Sequence, residues 1–215
     1  MIKSKSMPIG ITVIGARGRM GSRVISLAVG DFSVTDWDKA DVAIDFSSPL
    51  AAKDNLAKAI ASRKPLVMGT TGHAPENYKA IEEASKEIPI LFSPNFSLGM
   101  ATCLEAAAFL AKRLNCTIDI IEMHHSQKKD KPSGSALALA RATDREVPIH
   151  SIRAGDIIGE HTVIFTCEGE RIELKHQVFS RDAFAKGALK AAKFLIGRPA
   201  GLYSIKDLIY AKSSS

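Results

Sequence analysis

The run I-G-I-T-V-I at residues 9–14, followed by G-A-R-G-R-M-G at residues 15–21, constrains this chain more than any other stretch. A short apolar run bounded by glycine reads as a buried strand and residues 19–29 read as a helix, so the glycines form the turn between them. Glycine in such a turn lets the backbone approach a pyrophosphate, while the helix start offers unpaired N–H groups to its charge. The spacing is G-x-x-G-x-x-G instead of the commoner G-x-G-x-x-G, and the bland alternative is a plain tight turn. Gly15, Ala16, Arg17, Gly18, Arg19, Met20 and Gly21 are therefore candidates for holding a dinucleotide. Arg17 and Arg19 either contact a phosphate, including the 2′-phosphate of NADPH, or face solvent. An acidic residue about 20 positions beyond the first glycine commonly bonds the adenosine ribose; Asp36 stands there, with Asp38 as the neighbouring alternative.

The strand–helix alternation continues through D-V-A-I-D (41–45), a helix at 49–62, P-L-V-M (65–68), a helix at 75–86 and I-P-I-L-F (88–92). Such alternation predicts parallel strands joined by helices. The stretch between Gly30 and Asp41 is unusually brief. D-F-S (45–47), G-T-T-G (69–72) and P-N-F-S (94–97) each follow a strand, at the sheet edge where open α/β folds bind ligands. Any of them could be only a turn or a helix cap, and Ser47 followed by Pro49 fits a cap better than a ligand contact.

Near Phe96 the rhythm changes. A helix at 98–114 leads into the β-rich run T-I-D-I-I-E-M-H-H, then another helix, then strands at 161–167 and 171–179 joined by a turn centred on Gly169. A final helix at 184–196 is placed to return over the first sheet, and a serine tail occupies 213–215. The fold class expected is α/β: an N-terminal Rossmann-like parallel sheet with a second α+β domain carrying a mixed or antiparallel sheet. The dinucleotide-binding domain would be 1–96 completed by 182–215, and the substrate-binding and oligomerisation domain 97–181.

Composition narrows the class. With 46% hydrophobic and 24% charged residues the chain has material for a sizeable core. No apolar run nears the roughly 20 residues of a membrane span, and no signal-type segment opens the chain, so a cytoplasmic protein is expected. The net charge of +6 is scattered, which argues against nucleic acid and suits small anions. Cys103, Cys116 and Cys167 form no C-x-x-C pair, so reduced thiols are expected, with neither a disulfide nor a zinc site.

Residues 122–136, E-M-H-H-S-Q-K-K-D-K-P-S-G-S-A, hold the densest set of proton donors and anion-binding groups. On a strand, His124 and His125 point to opposite faces, which disfavours a shared metal. Histidine can give or take a proton near neutral pH, and a nearby lysine can bind a carboxylate. P-S-G-S then opens a helix, where an anion gains ~0.3–1 kcal/mol from the dipole. A strand-to-helix loop with capping serines and solvated lysines is the competing reading.

Taken in order, V-I-G-A-x-G-R-M-G, D-F-S, G-T-T-G, P-N-F-S-x-G, E-M-H-H-x-x-K-x-D-x-P-S-G-S-A and R-A-G-D-I-I-G-E-H-T-V closely resemble the 4-hydroxy-tetrahydrodipicolinate (dihydrodipicolinate) reductase family, from Ile11 to about Leu202. The resemblance implies reduction of a small dicarboxylate by NADPH or NADH in the diaminopimelate route to lysine, by a homotetramer. By motif position it makes His124 the proton donor and Lys128 the catalytic lysine, with His125, Ser133, Gly134 and Ser135 gripping substrate carboxylates. The glycine turn, Phe46, Gly69, Thr70, Thr71, Asn95 and Phe96 fall where the family contacts the dinucleotide. Two departures stand out: Lys131 and Ser135 occupy positions where the family more often has alanine and threonine, and the stretch after the first helix, where the family's second strand and ribose-binding acidic residue lie, is shortened.

Overall fold

In the first half of the chain the strands are short and apolar on successive residues, a pattern that fits only a sheet covered on both faces. The computed structural model describes residues 7–211, so the serine tail and the first six residues lie outside the described part. In chain order the elements are β1 (Ile9–Ile14), α1 (Arg19–Leu27), β2 (Phe32–Val34), β3 (Val42–Asp45), α2 (Ala52–Ala61), β4 (Leu66–Met68), α3 (Pro75–Ser85) and β5 (Pro89–Phe92). There follow α4 (Leu98–Arg113), β6 (Thr117–His124), α5 (Gly134–Thr143), β7 (Ile149–Arg153), β8 (Glu160–Cys167) and β9 (Glu170–Gln177). The chain closes with α6 (Asp182–Leu195), β10 (Gly201–Tyr203) and α7 (Ile205–Tyr210). Two units result: Met1–Phe96 with Asp182–Ser215, and Ser97–Arg181.

The first unit is a parallel sheet in the order β10-β5-β4-β3-β1-β2. Alternation along each strand assigns residues to its two faces. Val42 and Ile44 of β3, Val67 of β4 and Leu91 of β5 pack with Val24 of α1 and the alanine-rich face of α6. Their neighbours Ala43, Leu66, Met68 and Ile90 pack with Leu56 and Ala59 of α2 and Ile81 and Ala84 of α3. The segment after α1 is not too short for a strand: β2 pairs with β1 through Ile9–Phe32, Gly10–Ser33 and Ile11–Val34. Three residues are too few to show a period, which is why the strand is invisible in the sequence. The helix expected at 184–196 begins two residues earlier, where the Asp182 carboxylate receives the Arg23 guanidinium, with Nη2 2.8 Å from Oδ2.

The second unit is a mixed sheet, β7-β6-β8-β9, with β6 parallel to β7 and antiparallel to β8. Helices α4 and α5 pack with it around Ile118, Ile120, Val163, Phe165 and Leu139. On β6 the buried positions are 118, 120, 122 and 124, so one face runs from isoleucine to glutamate and histidine as the strand ends. The strand stops at His124, and half-buried His125 lies beyond it.

One expectation is overturned here. Cys116 and Cys167 are joined by a disulfide, with Cα atoms 4.4 Å apart, while Cys103 is free. The two are 51 residues apart in sequence, but the antiparallel register that pairs Thr117 with Thr166 sets them opposite each other. Sequence spacing carries no trace of that register. Among the described residues no helix is long and apolar enough to cross a membrane.

Candidate active site

In the first unit the strand order reverses between β1 and β3, and an open α/β sheet binds ligands at the carboxyl ends of its strands at such a point. A cleft of about 570 Å³ lies there, lined by residues 12–18 of β1 and its turn, by Trp37, by Phe46 and Ser47 after β3, and by Lys58 of α2. The turn is possible only with glycine. Gly15 has φ +82°, and a Cβ on it would lie 2.6 Å from the Phe46 carbonyl oxygen; a Cβ on Gly21 would collide with the Gly15 carbonyl. The Gly18 N–H closes the turn onto the Gly15 carbonyl at 2.9 Å.

Buried Asp45 fixes the loop after β3, accepting from the Ser47 N–H at 2.8 Å, the Asn55 Nδ2 at 2.9 Å and the Thr70 hydroxyl at 3.4 Å. Of the residues singled out for a dinucleotide, Gly15, Ala16, Arg17, Gly18 and Phe46 line the cleft. Arg19, Met20, Gly21, Asp36, Gly69, Thr70, Thr71, Asn95 and Phe96 do not. Met20 packs on the core and Phe96, 2% exposed, belongs to it, edge-on to Phe46 at 5.7 Å. Asp36 is exposed and starts the 3-10 turn Trp37–Lys39. Trp37 and Lys58, which line the same cleft, carry no motif and were not among the sequence candidates.

In the second unit strand register assembles a polar row. Ser151 of β7, Glu122 of β6, His161 of β8 and His176 of β9 are successive cross-strand partners, and His124 pairs with Arg153 one step on. Fully buried Glu122 is held bidentately by Arg153, at 2.9 and 2.7 Å, and accepts the Ser133 N–H at 3.2 Å. Its Oε2 lies 2.5 Å from His124 Nδ1. A carboxylate there accepts, which puts a proton on Nδ1 and leaves Nε2 for other partners.

Ser133 caps α5, its hydroxyl oxygen accepting the Ala136 N–H at 3.2 Å, and the same hydroxyl shares a hydrogen bond with His161 Nε2, 3.1 Å away. The rings of His124 and His161 meet edge-on at 5.2 Å. Ser97, the cap of α4, contacts His176 Nε2 in the same way at 3.1 Å. Lys128 pairs with Asp130 at 2.8 Å, and its carbonyl receives Arg153 Nε at 3.3 Å. His124, Lys128 and Ser133 are thus tied into one arrangement through Glu122 and Arg153. Gly134 opens α5 exposed, and Ser135 follows half-buried.

Burial by itself would push the Glu122 carboxyl up. The hydrogen bonds from Arg153, Ser151 and His124, with the Arg153 charge, outweigh it and hold the pKa at about 2. His124 is lowered chiefly by burial and, further, by Lys128 and Arg153, against the opposing pull of Glu122. His161 falls to about 4 from burial first and the His124 charge second. Glu122, Arg153 and His161 were not assigned roles from sequence. The R-A-G-D and E-H-T-V motifs contain the last two, but only strand register shows what they touch.

The fold and these two sites define a two-unit α/β dehydrogenase architecture. A family model described as "Dihydrodipicolinate reductase, N-terminus" matches residues 30–96, and one described as "Dihydrodipicolinate reductase, C-terminus" matches residues 97–209. The chain is 41% identical over 208 residues to the 4-hydroxy-tetrahydrodipicolinate reductase of Thermosipho africanus, covering 92% of this chain and 96% of that protein. It is 40% identical over 232 residues to that of Xanthomonas euvesicatoria, covering 94% and 98%. Among solved structures, the dipicolinate-bound dihydrodipicolinate reductase of Paenisporosarcina sp. TG-14 shares the fold, with a TM-score of 0.79 at 21% identity over 94% of this chain and 99% of that one. The chain belongs to the dihydrodipicolinate reductase family.

Proposed function

We propose that this chain reduces 4-hydroxy-tetrahydrodipicolinate to tetrahydrodipicolinate with NADPH or NADH, in the diaminopimelate route to lysine. The observation that carries the reading is the buried Glu122–His124 hydrogen bond beside the capped start of α5: an oriented acid–base group next to a helix N-terminus suited to a carboxylate.

The first unit fits a dinucleotide. Gly15 and Gly21 leave a cradle that any Cβ would fill, the start of α1 offers N–H groups, and Arg17 adds positive charge at the cleft. A reduced nicotinamide held there would supply a hydride for C4 of the substrate ring once the C4 hydroxyl has departed as water with a ring proton. In the second unit His124 holds the proton that completes the reduction, oriented through Nδ1 by Glu122. Lys128 offsets growing negative charge or holds a carboxylate. Ser133, Gly134, Ser135 and His125 grip the carboxylates of the substrate. The Arg153 clamp fixes Glu122 so that His124 keeps one orientation, which contributes through positioning. The family reading also carries assembly into a homotetramer, which sedimentation tests.

The experiment is a pair of substitutions. His124→Gln and Lys128→Ala each lower turnover, on the order of 10²–10⁴-fold for loss of a positioned proton donor. Dinucleotide affinity stays near that of the parent, because both side chains belong to the second unit. Full turnover in both variants would refute the assignment.

A further inference from the structure

We infer that the cleft of the first unit contains a subsite for the 2′-phosphate of an adenosine dinucleotide, built on Lys58, and that the chain accordingly takes NADPH in preference to NADH. The inference rests on the dinucleotide reading above and sharpens it.

The cleft has a chemical asymmetry. Among the described residues its lining includes two cations, Arg17 and Lys58, and no carboxylate. Where a fold of this kind prefers the unphosphorylated cofactor, an acidic side chain after the second strand accepts the ribose hydroxyls. Here the residue at that place, Asp36, is exposed and outside the lining, and the residue that turns into the cleft is Trp37. Lys58 reaches across from α2 until its ammonium stands 4.2 Å from the centroid of the Trp37 ring. The indole gives the lysine a fixed apolar and cation-attracting rest without neutralising it, so its charge and its N–H donors remain available to an anion. Lys64, also near this ring at 5.6 Å, is engaged differently: it is buried and donates to the Ala40 carbonyl. Arg17 belongs to the glycine turn, the part of the cleft that the dinucleotide reading gives to the pyrophosphate, and Lys58 is the cation on the Trp37 side. A phosphate monoester supplies that group, with nearly two charges and three acceptor oxygens.

Trp37 is the single tryptophan of the chain, so its emission reports on this cleft without a label. The test titrates the full-length protein with adenosine 2′,5′-bisphosphate, with 5′-AMP, and with NADPH and NADH, following Trp37 emission and, independently, heat of binding. The phosphorylated member of each pair binds roughly tenfold to a hundredfold tighter at low salt, the range of one charge-assisted contact. The preference shrinks as salt rises. In Lys58→Gln the preference disappears while 5′-AMP affinity is retained; in Arg17→Gln both members of each pair weaken together. Equal affinities in the parent protein, or a preference that survives Lys58→Gln, would overturn the subsite and leave the dinucleotide reading standing. Failure of all four ligands to bind would overturn both.

Discussion

At His124 burial and neighbouring charge act against each other, and the balance sets what the residue can do. Glu122 favours the imidazolium, while burial, Lys128 and Arg153 disfavour it more, so its pKa lies below the ordinary histidine value. If protonated His124 completes the reduction, turnover falls as pH rises through that pKa. Glu122→Gln removes the stabilising carboxylate, so the fall moves to lower pH. A pH profile of kcat for the two proteins checks this, and an unmoved profile would mean that Glu122 does not act through His124. His161 allows a stability test. Its pKa is about 4 in the folded protein against 6.5 ordinarily, so the unfolded chain binds the extra proton between those values. The contribution is present in full above pH 6.5 and lost as pH falls toward 4, a loss on the order of 3 kcal/mol. His161→Gln flattens the pH dependence of urea-unfolding stability across that window.

At the scale of elements, strand ends and helix starts bring the polar residues together. Ser133 both caps α5 and hydrogen-bonds His161, so Ser133→Ala costs about 1 kcal/mol for the cap, with a further loss from the orphaned imidazole. Urea denaturation measures it, and a change under a few tenths of a kcal/mol would contradict the dual role. Gly21→Ala forces a Cβ into the Gly15 carbonyl and abolishes dinucleotide binding, read by calorimetry. These two elements also mark how far sequence reaches. The glycine turn and the P-S-G-S helix start were legible because each is a local event: backbone conformation and capping are decided within a few residues. The strands β1, β3 and β5 were legible for the same reason. The partnership of Glu122 with Arg153, and of Ser133 with His161, was not, because it depends on the pairing of β6 with β7 and β8. Trp37 and Lys58 escaped notice because a single tryptophan and a helical lysine match no spacing rule. The strand β2 escaped because it is three residues long.

For the molecule as a whole, the chain leaves the parallel sheet after β5, builds the mixed-sheet unit from one continuous stretch, and returns as α6 to cover the first core. The disulfide belongs wholly to the inserted unit, where it closes the 51-residue separation between Cys116 and Cys167. A cross-link over a loop of that length restricts the unfolded chain by roughly 4 kcal/mol in the entropy model. Reductant therefore lowers the melting temperature of the parent but not that of a Cys116→Ala/Cys167→Ala variant, and mass spectrometry under non-reducing conditions identifies the bridge directly. Both units serve one reaction in the proposed function, and turnover of the substrate itself tests that. The protein is supplied with 4-hydroxy-tetrahydrodipicolinate generated in place by a dihydrodipicolinate synthase, and loss of the reduced-nicotinamide absorbance is followed. Substrate-dependent oxidation is expected, faster with NADPH than with NADH at low cofactor concentration. Absence of oxidation with both cofactors, from protein that binds them, would contradict the proposed function.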